Sequence, residues 1–246
     1  MKGPVLILGA TSPIARAAAG ALAQRGHPLC LASRDTEDLA RIAADIRIRH
    51  GVRVETAFFD AEDFGSHERF LEGVEAQMGG VEGVLLAFGL LGDQDAAMRD
   101  FEAAHHLIRV NFTGAVSILT KCAAALERRR TGFIIGFSSV AGDRGRRRNY
   151  PYGAAKGALS LYLQGLRSRL YPAGVRVLTV KLGFVDTRMT FDLPGMFLVA
   201  SPRRAGEAVV RALLRGREVV YIPWFWRFIL WGVRIIPEKI YKKLDF

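Results

Sequence analysis

The chain reads as a single-domain α/β fold, a doubly wound parallel sheet of about seven strands, followed by an amphipathic helical tail. Three observations point there. Apolar runs of strand length recur between longer stretches of helical pattern; the first run opens the chain and leads through a turn into an alanine-rich helix; and 246 residues, 50% of them hydrophobic, suffice for one large core. No Ser/Gly/Pro-rich linker, low-complexity tract or internal repeat interrupts the alternation. Residues 1–222 therefore read as one domain and 223–246 as the tail.

The opening segment, Val5-Leu6-Ile7-Leu8-Gly9-Ala10-Thr11-Ser12-Pro13-Ile14-Ala15-Arg16, is a strand, a turn and a helix start. Ser12 suits the helix N-cap and Pro13 its first position, while Gly9 lets the backbone come close to a pyrophosphate at the helix N-terminus. Taken alone, the segment is equally any β–α turn. Strands are expected near residues 4–9, 28–33, 52–58, 81–88, 132–138, 175–181 and 218–222, with helices in most of the intervals. One long helix is predicted over Ala103–Arg130, carrying Asn111, and another over Tyr150–Leu170, ended by Pro172-Ala173-Gly174. Right-handed crossovers put the strand-order reversal beside the first strand, where open α/β sheets bind ligands.

The chemistry lies at the fifth strand. Phe133-Ile134-Ile135-Gly136-Phe137 ends in Ser138-Ser139, so a hydroxyl emerges at the carboxyl edge of a buried strand. Thirteen residues on, Tyr152 and Lys156 stand four apart, on one helix face a turn from each other. The ammonium is expected to favour the phenolate and lower the Tyr152 pKa, fitting it for proton exchange with a carbonyl or an alcohol. A bare Tyr-x-x-x-Lys is usually helix surface; the Ser pair and the nucleotide-like N-terminus turn the reading toward a reaction centre.

On these residues the chain resembles the short-chain dehydrogenase/reductase family, over about residues 4–222. That family is marked by Gly-x-x-x-Gly-x-Gly near the start and Tyr-x-x-x-Lys near the middle. The resemblance implies a Rossmann domain binding NAD(P) and a catalytic set of Asn111, Ser139, Tyr152 and Lys156, with no metal. The cofactor would be met by Gly9, Thr11, Ser12, Ile14 and Arg16 after the first strand, and by Ser33 and Arg34 after the second. Asp60 and Ala61 would follow from the third strand, Ala87, Phe88 and Gly89 from the fourth, and Gly183, Val185 and Thr187 from the sixth, together with Tyr152 and Lys156. Two departures stand out. Pro13 and Ala15 replace the second and third glycines, and Leu86-Ala87-Phe88-Gly89 replaces the usual Asn-Asn-Ala-Gly, so the Asn side chains that brace the sheet are absent. Ala87 to Asp93, Gly142-Asp143-Arg144 and Arg147-Arg148-Asn149 are similar to the branch that reduces decaprenylphosphoryl-2-keto-erythro-pentose.

Cofactor choice is read after the second strand. Ser33 and Arg34 leave room and a cation for a 2′-phosphate where an acid would hold NAD, so NADPH is expected, with NADH the alternative. Arg16 either adds charge there or is a solvated helix residue; Asp35 is placed to neutralise Arg34. Asp60 is either an adenine-edge contact or a cap.

The net charge is +11, from 35 Lys plus Arg against 24 Asp plus Glu. Nucleic acid is not the expected partner, because the basic runs lack aromatic platforms for bases. Arg144, Arg146, Arg147 and Arg148, between Ser139 and Tyr152, either grip a substrate phosphate or form a solvated loop. The tail holds all three tryptophans and is too short and too charged to span a bilayer. It suits a helix in the interface of an anionic leaflet; a subunit contact or a lid over the substrate cleft is the competing reading. Cys30 and Cys122 are expected as buried free thiols. With no signal-peptide pattern ahead of the first strand, a cytoplasmic enzyme is expected, peripheral on the inner face of the membrane and assembled as a dimer or tetramer. Its substrate is expected to be a lipid-linked or other bulky ketone; a soluble hydroxysteroid-like or 3-oxoacyl reductase, or a non-catalytic NAD(P)-binding regulator, are the alternatives.

Overall fold

Seven apolar runs become seven parallel strands in the computed structural model, which describes residues 2–187, 189–190 and 198–244. The strands are β1 (Val5–Leu8), β2 (Leu29–Ser33), β3 (Val54–Phe58), β4 (Gly83–Leu86), β5 (Phe133–Ser139), β6 (Arg176–Leu182) and β7 (Val219–Ile222). Their spatial order is β3-β2-β1-β4-β5-β6-β7, so the order reverses between β1 and β4. β1, β4 and β5 are buried on both faces, which is why they read as unbroken apolar runs rather than alternating ones.

Helices cover both faces. On one side α1 (Pro13–Ala23), α2 (Thr36–His50) and α8 (Pro202–Leu214) bury Leu22, Ile42 and Val209 against Ile7, Leu31 and Ile135. On the other, α3 (His67–Met78), α6 (Gly114–Arg129) and α7 (Tyr150–Leu170) bury Leu71, Ile118 and Leu163 against Leu6, Leu86 and Ile134. Short helices α4 (Gln94–Arg99) and α5 (Phe101–Ile108) precede α6, while α9 (Trp226–Ile235) and α10 (Glu238–Tyr241) follow β7. Cys30 and Cys122 are buried free thiols, as read, and burial pushes both up to about 12.

The helix predicted over Ala103–Arg130 differs in one respect. α5 and α6 are joined by a π-helical turn, Arg109–Thr113, with Asn111 inside it. The wider turn turns the Asn111 side chain toward the sheet edge, where Oδ1 accepts from Leu90 N at 3.1 Å and Nδ2 donates to Leu90 O at 2.7 Å and Leu107 O at 2.9 Å. A single wider turn is too short to show a changed hydropathy period, so the sequence carries no mark of it.

The missing Asn brace after β4 is replaced by apolar packing. Phe88 lies 5.6 Å from Phe59, which also stacks on the buried His67 at 5.0 Å and meets Phe70 at 4.9 Å. His67 is held in turn by Ser117 Oγ and Asp60 O, each at 2.9 Å. Phe88 also explains Gly9, whose φ is +78° and where a Cβ would lie 2.6 Å from Phe88 N. Gly9→Ala should therefore combine a left-handed backbone with a backbone clash. It should cost about 2 kcal/mol or more in urea unfolding and weaken dinucleotide binding, and an unchanged midpoint would contradict this account of the turn.

Candidate active site

Ser139 ends β5 at the carboxyl edge of the sheet, and Val140–Asp143 turns at once into a 3-10 segment that lies against α7. The Ser139 hydroxyl accepts from Ala141 N at 3.1 Å, donates to Leu182 O at 3.4 Å, and stands close enough to the Tyr152 phenol to favour its ionised form. Its neighbour Ser138 points the other way, donating to Lys156 O at 2.8 Å and meeting Ser160 Oγ at 2.7 Å. Ser138 thus fixes the helix, and Ser139 faces the open edge.

Tyr152, Lys156 and Asn111 are all buried. Lys156 Nζ donates to Phe137 O at 3.2 Å and stands 5.9 Å from the Tyr152 ring centroid. Gly89 closes the group from above: a Cβ there would lie 2.8 Å from Asn111 Oδ1 and 3.0 Å from Lys156 Nζ. The four candidates of the sequence reading therefore converge on one spot, and Gly89 is the residue whose lack of a side chain permits it.

The electrostatics correct one expectation. Burial pushes Tyr152 up to about 12, with the Ser139 hydroxyl only partly opposing it, and burial lowers Lys156 to about 8. The low-dielectric pocket favours the neutral form of each, outweighing the phenolate-favouring cation read from the four-residue spacing. Near neutral pH the phenol holds its proton and the amine remains mostly charged.

The dinucleotide candidates line the same edge. Ile14 is buried beneath the first turn, Ala87 N donates to Leu8 O at 2.8 Å, and Ala61 O packs where a Cβ on Gly114 would lie 2.3 Å away. Thr11 Oγ1 meets Ser33 Oγ at 3.2 Å, tying the ends of β1 and β2. Ser12 occupies the α1 N-cap without a side-chain cap bond, contrary to expectation; its extended backbone sets the cap geometry instead. Asp35 caps α2 by accepting from Asp38 N at 2.9 Å, and Arg34 has no ion pair among the described residues, so the expected neutralisation of Arg34 is not formed. Arg16 pairs with Asp45 at 3.7 Å on the surface. The Asp60 carboxylate accepts from Glu62 N at 3.0 Å inside a turn, and because α3 begins only at His67 the capping alternative is not formed. After β6, Gly183 N donates to Ile222 O at 2.9 Å, and Thr190 Oγ1 donates to Val185 O at 2.6 Å and accepts from Thr187 N at 3.2 Å. The Gly9 cradle, the α1 N-terminus and a β2 end without a carboxylate fit a dinucleotide carrying an additional phosphate.

The basic loop behaves otherwise than a solvated one. Arg144 donates to Val233 O and to Glu238 Oε2, and its guanidinium stacks 3.7 Å from the Tyr241 ring centroid. These contacts commit it to the tail. Asp143, whose side chain is 1% exposed, collects Lys181 from β6, Tyr221 OH from β7 at 2.7 Å and Arg234 from α9 at 3.3 Å. On α9 the buried Trp226 and Leu230 pack on Val140, and Trp226 fills the space beside Gly183, where a Cβ would lie 2.0 Å from Nε1. Arg146 and Arg147 instead line a cavity of about 330 Å³ with Tyr150, Tyr241 and Lys242, at the start of α7. Sequence reasoning missed the contacts that Asp143 and Trp226 make at the site, because their partners lie far away along the chain.

A doubly wound parallel sheet with a Ser, Tyr, Lys and Asn cluster at its carboxyl edge defines a nucleotide-dependent oxidoreductase architecture. The chain belongs to the short chain dehydrogenase family, whose model matches residues 4–195. It is 38% identical over 244 residues to an uncharacterized oxidoreductase of Mycobacterium tuberculosis, covering 98% of this chain and 96% of the relative. An uncharacterized oxidoreductase of Streptomyces coelicolor is 36% identical over 252 residues, with 98% and 95% covered. Among solved structures, a short-chain dehydrogenase from Sphingobium yanoikuyae in complex with NADPH superposes with a TM-score of 0.82 at 26% identity, over 96% of this chain and 97% of that one. An alcohol dehydrogenase from Thermococcus sibiricus complexed with 5-hydroxy-NADP gives a TM-score of 0.81 at 27% identity, over 90% and 96%.

The pH dependence of turnover follows from the two buried groups. In a carbonyl reduction to which Tyr152 gave the proton and Lys156 its charge, kcat would hold through neutral pH and fall as pH rises past about 8. Alcohol oxidation needs the phenolate, so its kcat should climb with pH. Measuring both directions with saturating cofactor tests the assignment, and a reduction rate that climbs with pH would contradict it.

Proposed function

We propose that the protein is an NADPH-dependent reductase that converts a ketone into a secondary alcohol. The convergence of Ser139, Tyr152, Lys156 and Asn111 beneath Gly89 carries this reading. NADPH, when bound, supplies the hydride. Tyr152 donates its phenolic proton to the carbonyl oxygen, so proton and hydride together complete the alcohol. Ser139 hydrogen-bonds the same oxygen and orients it, and the Lys156 ammonium stabilises the phenolate left on Tyr152. Asn111 holds the loop at Leu90, beside Gly89 and the Lys156 amine. Gly9 and the α1 N-terminus would hold the pyrophosphate, and Ser33 with Arg34 the 2′-phosphate; the two relatives solved with NADP-type cofactors support that choice.

The substrate we infer is bulky and carries a phosphate, a lipid-linked keto-sugar of the decaprenylphosphoryl-2-keto-erythro-pentose kind. Its support is the resemblance in the loops after β4 and β5, and a cavity walled by Arg146, Arg147 and Lys242 beside the helix that carries Tyr152. Guanidinium and ammonium groups there suit a phosphodiester rather than a neutral steroid or acyl chain.

Tyr152→Phe should lower turnover by about 10²-fold or more while leaving NADPH binding intact, because the ring packing is retained and only the proton is lost. Near-normal turnover on a ketone panel would sink the mechanism. Arg34→Ala should weaken NADPH at least about tenfold while changing NADH little, since only NADPH offers a phosphate to the guanidinium. Equal losses, read by fluorescence titration, would make Arg34 structural.

A further inference from the structure

Helix α9 has two unlike faces. Trp226 and Leu230 are 3% and 1% exposed and pack on the turn after Ser139, whereas Trp224, Phe228, Trp231 and Ile235 are 72%, 63%, 66% and 63% exposed. The exposed four recur at spacings of four, three and four residues, so they form one stripe along the preceding turn and the helix. Trp224 and Phe228 touch each other edge to face, with ring centroids 5.9 Å apart. Arg227 and Arg234 fall along one margin of this stripe, both exposed, and beyond it Ile240 and Leu244 stand exposed beside Lys239, Lys242 and Lys243. Over residues 223–244 five cations face one carboxylate, Glu238, which is already paired with Arg144. Among the described residues no helix is long and apolar enough to cross a membrane.

We propose that this stripe docks on an anionic lipid surface, with α9 lying in the interface. Aromatic side chains prefer the headgroup boundary, where an apolar ring body is buried and its edge stays wet. Arg227 at the margin carries its charge outward while its methylene stem covers apolar surface, and Arg234 on the same margin is held by Asp143. A protein partner matched to this face would need an acidic rim around an aromatic groove; on this chain, whose net charge is +11, a second copy would bring like charge against like. An anionic bilayer meets both features at once, and the overall positive charge draws the molecule toward it. Because the opposite side of α9 is a wall of the candidate site, docking brings that site close to the lipid surface. If the substrate is lipid-linked, as proposed above, it would reach Tyr152 without leaving the bilayer; that consequence alone rests on the functional reading.

Flotation of the full chain with liposomes tests the docking without any assay of turnover. On phosphatidylcholine vesicles containing about 30% phosphatidylglycerol the protein should float, and it should stay in solution with phosphatidylcholine alone. Trp224→Ser, Phe228→Ser and Trp231→Ser together should lower the partition coefficient by roughly a hundredfold, because they remove most of the insertable surface and none of the buried face. Arg227→Glu with Lys243→Glu should lower it by roughly tenfold and weaken its dependence on salt. NADPH binding and turnover of a water-soluble ketone should be unchanged in both variants, showing them folded. Failure of the full chain to float, or undiminished flotation of the triple variant, overturns the proposal. So does a triple variant whose only change is a smaller assembly in sedimentation, which would make the stripe a protein interface.

Discussion

The distance between the end of β5 and helix α7 sets the geometry on which the candidate site depends, and three glycines set that distance. A Cβ on Gly142 would lie 2.5 Å from Gly157 N, one on Gly157 would lie 2.9 Å from Gly142 O, and one on Gly153 would lie 2.8 Å from Ala141 O. Gly153 and Gly157 are four residues apart on α7, each immediately after Tyr152 and Lys156. One edge of the helix is therefore bare backbone pressed on the turn that follows Ser139, and the adjacent edge carries the phenol and the amine. Any side chain at these glycines would push the helix outward and separate Ser139 from Tyr152 by more than a hydrogen bond allows.

Close packing of that kind also fixes the electrostatic character of the site. With backbone rather than water around them, Tyr152 and Lys156 share a medium that disfavours charge on either. The resulting protonation states leave a proton on the Tyr152 phenol and a charge on Lys156 near neutral pH, the starting state of the reduction proposed above. Asn111 contributes by geometry: all three of its side-chain hydrogen bonds go to backbone at Leu90 and Leu107, which makes it a strut between the π turn and the loop that ends at Gly89.

Much of this was legible in the sequence, and the reasons are local. The seven strands could be located because buried strands are short apolar runs, and α7 has the bounds read from its pattern because Pro172 and Gly174 punctuate its end. The proximity of Tyr152 to Lys156 is a property of any helix. What escaped was non-local. The sign of the Tyr152 shift depends on how deeply the pocket is buried; the π turn leaves no trace in hydropathy; and Ser12 and Asp60 each had two uses at the same position. Arg144 looked like a phosphate ligand because its partners, Val233, Glu238 and Tyr241, lie roughly 90 or more residues downstream.

Asp143 bears on how this sequence can change over evolution or in the hands of an engineer. Its carboxylate joins β6, β7 and α9 through Lys181, Tyr221 and Arg234. A tail without Arg234 would leave Asp143 with one cation fewer, and a loop without Asp143 would leave Lys181 and Tyr221 without their acceptor. The residues after β5 and the residues after β7 are thus coupled across the chain through one carboxylate, and a change in either piece keeps the junction only if Asp143 and its partners are kept.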